Sequence, residues 1–127
     1  MEIVLKSKIE KNYLFIDASG QITNQKEHEE LTMLFYEEIK MQDFEKIIIN
    51  VSKISYPPSL EIHKDIVEFY KSDMPAEIFG WKIAVVDESD YREIGYYWEY
   101  LTQQSGIPNF RVFGSLEEAK TFIVGEE

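Results

Sequence analysis

Asp87-Glu88-Ser89-Asp90 is the densest group of oxygen ligands in the chain, and it follows the apolar run Trp81-Lys82-Ile83-Ala84-Val85-Val86. If that run is a parallel strand, the group lies just past its carboxyl end, where open α/β sheets place ligands. Hard cations such as Mg²⁺ take oxygen ligands of this kind. A phosphoryl-accepting site would also need an acidic pair after the first strand and an aspartate after the central one. The central apolar run ends instead in Asn50-Val51-Ser52. Capping accounts for Asp90 and solvation for Asp87 and Glu88, so no metal is assigned. His28 and His63 lack the His-x-x-x-His spacing of zinc sites and read as surface residues in the first turns of two helices. No Gly-x-Ser-x-Gly, phosphate loop or dinucleotide fingerprint occurs. With no cysteine in the chain, disulfides, thiolate metal sites and thiol chemistry are excluded. The expectation is a protein with no catalytic residue and no cofactor, hence not an enzyme.

Aromatic residues offer contact rather than reaction. Tyr91, Tyr96, Tyr97, Trp98 and Tyr100 crowd one segment, with Phe79 and Trp81 shortly before. At helical spacing, Ile94, Tyr97, Trp98 and Leu101 form an inner stripe. Tyr96 and Tyr100, four apart, share another face and should be exposed together. Tyr91, Tyr96, Tyr100, Phe79 and Trp81 are therefore read as a protein interface or the rim of an apolar cleft. The plainer alternative is that they only cover the edge of a sheet.

Regular elements must position these groups. Glu2 to Ile9 alternates with a period of two, as a half-covered strand does. Tyr13-Leu14-Phe15-Ile16 runs apolar, as a strand buried on both faces would, and the two form an antiparallel hairpin. Gly20 marks a bend or bulge. Asn24 and Glu27 are spaced as a capping box for a helix to about Met41, with Leu31, Leu34, Phe35 and Ile39 as its buried stripe. Lys46 to Val51 suits a central strand. Pro57-Pro58 breaks regular structure, and a second helix can start at Pro58 or Ser59 and end at Met74-Pro75, with Ile62, Ile66, Phe69 and Tyr70 inside. Trp81 to Val86 is the next strand, Tyr91 to about Gln104 the aromatic helix, and Gly106 its C-cap. Phe110 to Phe113 is a short strand. Ser115 and Glu118 cap a last helix with Leu116, Ala119, Phe122 and Ile123 inward. The order β-β-α-β-α-β-α-β-α implies an α/β fold with a mixed, mostly parallel sheet and one antiparallel edge strand.

In this order the chain resembles the STAS-like, or SpoIIAA-like, family, named for anti-sigma-factor antagonists. Leu14-Phe15-Ile16-Asp17-Ala18-Ser19-Gly20-Gln21-Ile22-Thr23 is similar to the family's strand ending in a Gly-x-Leu/Ile step before the first helix. Lys46 to Ile54 is similar to its apolar strand followed by Leu-Ser-x-Val. Trp81 to Val86 with Ser89-Asp90-Tyr91, and Phe110 to Ala119, resemble the third strand and the ending of uncharacterised bacterial members. The resemblance implies one STAS-like domain over 1–127. Regulatory antagonists carry Asp-Ser-Ser-Gly or Asp-Ser-Thr-Gly where the central strand meets its helix, and the serine is phosphorylated. Here the junction reads Tyr56-Pro57-Pro58-Ser59-Leu60-Glu61, so Ser59 falls on the first hydroxyl residue of the motif and Leu60 on the phosphorylated one. The Asp and the Gly are missing. Ser59 is thus a candidate phosphosite that lacks its motif, so phosphorylation in the style of that family is not expected, and its expected role is a helix N-cap.

Charge and length narrow the partners. The 127 residues suffice for one domain, and its core can form without staples. A net charge of −11 repels phosphate backbones and anionic headgroups, so neither nucleic acid nor membrane insertion is expected. Lys6 and Lys8 interrupt the first apolar stretch, and no run approaches the ~20 apolar residues of a membrane helix. The expected location is the cytoplasm. Two functions remain. One is a non-catalytic interaction or regulatory module that binds a protein partner or itself, a homodimer included. The alternative is a binder of a small apolar ligand or lipid between sheet and helices, with Met33, Met41 and Met74 lining the cleft.

Overall fold

The computed structural model describes residues 3–55, 72, 78, 80–88, 92–104 and 110–125. The alternating start folds as β1 (Ile3–Ile9), paired antiparallel with β2 (Leu14–Gln21) from Ile9 opposite Leu14 to Ile3 opposite Gly20. The Glu10 N–H closes the hairpin on the Tyr13 carbonyl at 2.9 Å. Leu14, Ile16 and Ala18 are buried, whereas Phe15 is only half-buried. On the opposite face Tyr13 is buried and Phe15 packs beside it, so the run Tyr13 to Ile16 is covered on both faces, less completely at Phe15.

α1 (Gln25–Gln42) starts where the polar spacing places it. Asn24 Oδ1 accepts from the Glu27 N–H at 2.9 Å. The returning Glu27 carboxylate takes the N–H and hydroxyl of Thr23, one residue before the cap. Asp43 ends the helix at φ 60° and ψ 55°, its N–H donating to the Ile39 carbonyl. Aspartate tolerates this left-handed region better than most residues. The buried set on α1 is His28, Leu31, Thr32, Tyr36 and Ile39, with Leu34 and Phe35 only partly covered. The face lies rotated from the expected stripe and takes in two polar residues. His28, expected at the surface, is only 7 % exposed. Thr32 is accommodated by donating its hydroxyl to the His28 carbonyl at 3.0 Å.

β3 (Lys46–Ser55), β4 (Lys82–Val86) and β5 (Phe110–Phe113) run parallel to β2 and complete a sheet in the order β1-β2-β3-β4-β5. The β-branched run expected at the centre is the central strand. Right-handed crossovers that advance in one direction put their helices on one face. α1 and α2 (Arg92–Gln104) share that face: Leu31, Tyr36, Ile39 and Leu101 pack with Ile16, Ile47, Ile49 and Val112. α3 (Leu116–Val124) follows the last strand and takes the other face, where Ala119 and Ile123 pack with Ile48, Ala84 and Val86. The Ser115 side chain caps α3 by accepting from the Glu118 N–H at 3.3 Å. The helix expected after Pro57-Pro58, and the Gly106 cap, lie outside the described residues.

One irregularity shapes the polar end of the sheet. Asp17 is opposite Asn50 but Ser19 is opposite Lys53, so the single Ala18 faces both Val51 and Ser52. The bulge lies on β3, two residues before the level of Gly20, where a bend or bulge was expected and whose own φ is 143°. Such an extra residue leaves the ladder.

Candidate functional site

α2 presents its aromatic residues on two faces. Tyr97 and Leu101 are half-buried and Thr102 is fully buried, its hydroxyl donating to the Glu99 carbonyl at 2.8 Å. Tyr96 and Tyr100 stand in solvent at 45 % and 58 % exposure. Gln103 continues the same face one turn on and is exposed. Glu99 borders this strip, its carboxylate accepting from Gln103 Nε2 at 3.4 Å. Its carboxylate ion-pairs with Arg111 and accepts the Val112 N–H at 3.1 Å. Tyr96, Tyr100 and Gln103 thus form a strip whose own side chains are uncharged and whose bordering Glu99 is paired with Arg111, whereas the exposed positions of α1 include Lys26, Glu30, Glu37 and Lys40, and those of α3 include Glu117 and Glu118.

Of the other expected members of this surface, Trp81 does not join it. Trp81 is 8 % exposed and stacks on Tyr36, with ring centroids 5.6 Å apart. Its bulk goes into the core because it immediately precedes β4 and meets the inner face of α1. Phe79, Tyr91 and Ser59 lie outside the described residues, as do His63 and Met74. Trp81 does line a surface recess of ≈ 330 Å³ with Ile39 and Phe44, but Lys40, Asp43 and Glu45 share its walls. Three charged side chains in so small a recess do not suit an apolar guest. Met41 is 70 % exposed, on the solvent side of α1, and does not line that recess.

At the carboxyl ends of the parallel strands the β3 bulge builds a polar relay. Freed from the ladder, the Ser52 N–H donates to Asn50 Oδ1 at 3.1 Å, and the Ser52 hydroxyl donates to the same oxygen at 2.7 Å. Asn50 Nδ2 donates to Asp17 at 3.3 Å, and Lys53 approaches the other Asp17 oxygen at 3.6 Å. The Glu88 N–H donates to the Ser52 hydroxyl at 2.9 Å, so β4 is tied to the same relay. Asp87 is buried, its N–H on the Phe113 carbonyl at 3.0 Å, rather than solvated as expected. Among the described residues no group of His, Asp and Glu side chains is arranged to hold a metal ion. The relay's hydrogen bonds link side chains to one another and to backbone, which is the pattern of a strut between strand ends. Sequence reasoning missed this relay and the role of Glu99. A bulge has no local signature here, and Glu99 acts on a strand that comes later in the chain.

No family model matches the chain, and no curated protein matches it. Among solved structures it is similar to an uncharacterised protein of the DUF3478 family with a SpoIIAA-like fold, from Shewanella loihica PV-4. The two are 16 % identical, with a TM-score of 0.55, over 95 % of this chain and 93 % of that one. The five-stranded mixed sheet, with one antiparallel pair and the rest parallel, agrees with that likeness. The chain has a SpoIIAA-like α/β fold.

Proposed function

We propose that this chain is a non-catalytic interaction module, acting in the cytoplasm, that binds a second copy of itself through the exposed face of α2. The observation that carries the reading is the pair Tyr96 and Tyr100, 45 % and 58 % exposed, on a strip shared with the uncharged Gln103. A molecule of net charge −11 repels its own copies at long range. Contact between copies needs a patch with short-range attraction and no like charge, and the tyrosines supply it. Across a two-fold axis, Tyr96 of one copy meets Tyr100 of the other and the reverse, so one contact is made twice. Stacked aromatic pairs contribute about 0.5–1.5 kcal/mol each beyond the area they bury. The cleft alternative has less support, since the recess beside Trp81 is charged and Met41 is exposed.

Sedimentation equilibrium of the wild type and of the Tyr96→Glu/Tyr100→Glu double variant, at low and moderate salt, tests the reading. The wild type is expected to associate, more strongly as salt screens the repulsion. The variant should stay folded and monomeric. A wild type that remains monomeric at every salt overturns self-association and transfers the strip to a foreign partner. A variant that unfolds shows these tyrosines to be structural.

A further inference from the structure

The two edges of the sheet are finished differently. At β5 the outward N–H of Val112 is taken by the Glu99 carboxylate, and Arg111 beside it pairs with the same group. No added strand can reach that N–H while Glu99 holds it. At β1, the first strand of the sheet, no described strand lies beyond. The Glu10–Tyr13 hydrogen bond sets the phase of the antiparallel ladder, whose pairs alternate between bonded and non-bonded. Val4, Lys6 and Lys8 therefore bond to β2, and the N–H and C=O groups of Ile3, Leu5, Ser7 and Ile9 point outward.

Side chains give this edge a pattern. Val4, Lys6 and Lys8 lie on the α3 face, opposite Ser19, Asp17 and Phe15. α3 packs on β3, β4 and β5, so both lysines and Val4 stand in solvent. On the α1 face, Ile3 and Leu5 pack against the main core, and the Ser7 hydroxyl donates to Glu38 of α1 at 2.6 Å. Val4 and Ile9 are 52 % and 61 % exposed. Pairing β1 with its own copy about Lys6 or Ser7 sets lysine against lysine, and like charges directly opposite destabilise a ladder. Lysines on an edge strand repel a second copy in this way, but they attract acid.

We propose that the outer edge of β1 takes an extended segment of a partner protein as an added strand, with acidic residues opposite Lys6 and Lys8 alternating with apolar residues toward Leu5. Main-chain hydrogen bonds to Leu5, Ser7 and Ile9 supply the attachment, and the two lysines select the sequence. Lys8 already lies 3.4 Å from Glu10. That ion pair is exposed and is worth little, so an opposing acid can displace it.

The test uses the whole chain and two blocked peptides, one alternating valine with glutamate, the other valine with lysine. Amide shifts and hydrogen exchange are followed residue by residue. The glutamate peptide should shift and protect the amides of Leu5, Ser7 and Ile9, and the lysine peptide should not. Lys6→Glu/Lys8→Glu should reverse the preference, each affinity changing about tenfold as two cross-strand charge pairs change sign. Ser7→Pro removes one outward N–H without touching the β2 ladder, a position where an edge strand accepts proline, and should weaken the glutamate peptide. Equal binding of both peptides, shifts confined to α2, or no shift in β1 at millimolar peptide overturns the proposal. So does protection of β1 that rises with protein concentration alone, which would mean self-pairing.

Discussion

Thr23, Asn24 and Glu27 act as a unit at the start of α1. Asn24 satisfies one of the orphan N–H groups of the first turn, and Asn24→Ala should cost about 1 kcal/mol in a denaturant midpoint. The Thr23 hydroxyl and N–H both donate to Glu27, which holds its carboxyl below the usual range. A carboxyl lowered in the folded state gives stability that is present above its unfolded pKa and lost as pH falls through the folded one. Wild type should therefore exceed Glu27→Gln in thermal midpoint near neutrality, and the gap should close below roughly pH 4. A gap independent of pH would show that the glutamate acts by shape alone. Tyr13 works at the other end of the scale. Burial pushes its phenol above 10, with Glu10 adding to the shift. The folded state holds that proton longer than the unfolded one, so stability is present below pH 10 and falls as pH rises beyond it. Tyr13→Phe should flatten that alkaline loss.

At the scale of elements, two strands make opposite demands. Ile48, fully buried in central β3, faces Ala119 and Ile123 of α3. Ile48→Ala leaves a cavity and should cost roughly 2–5 kcal/mol. β5 pairs with β4 on one side, and on its outer side the Val112 N–H is held by one side chain, Glu99. Glu99→Ala strands the Val112 N–H and should cost about 1–3 kcal/mol, with light scattering rising as the freed edge pairs with other chains. Glu99→Gln keeps an acceptor and should stay soluble, and scattering as high as in Glu99→Ala would refute the edge role. These elements differ in how plainly the sequence announces them. The apolar run around Ile48, the Asn24 and Ser115 caps and the succession of strands along the chain are local signals, legible from residue type and spacing alone. The rotated face of α1 is not, because Leu34 and Tyr36 are both plausible inner residues until the sheet chooses between them. Nor is the Asn50–Ser52 relay, since it depends on the register between β2 and β3. Tyr96 and Tyr100 are legible as exposed, because four-residue spacing puts them off the inner stripe. Trp81 reads as rim because nothing local says that Tyr36 waits across the core.

For the molecule as a whole, charge is the least balanced term. The net −11 is a self-repulsion that every part of the folded chain shares, and compactness raises it. Ion pairs oppose it only weakly. Lys8–Glu10, Lys53–Asp17 and Lys120–Glu117 keep their cations 76 %, 67 % and 42 % exposed, and such pairs are each worth about 0–1 kcal/mol. Arg111–Glu99 is more covered on the glutamate side, and its hydrogen bond from the Val112 N–H is little affected by salt. Salt weakens both the repulsion and the pairs, and the repulsion is the larger sum. Sodium chloride should therefore raise the denaturant midpoint, with most of the rise complete by ~0.1 M, where the screening length is about 10 Å. Urea is the denaturant to use, because guanidinium is itself a salt. The gain should shrink as the medium approaches the sequence pI near 4.6. A midpoint that falls with salt at neutral pH would mean that the ion pairs outweigh the net charge. The acidic surface would then stabilise the fold, and contact between copies would no longer require an uncharged aromatic strip.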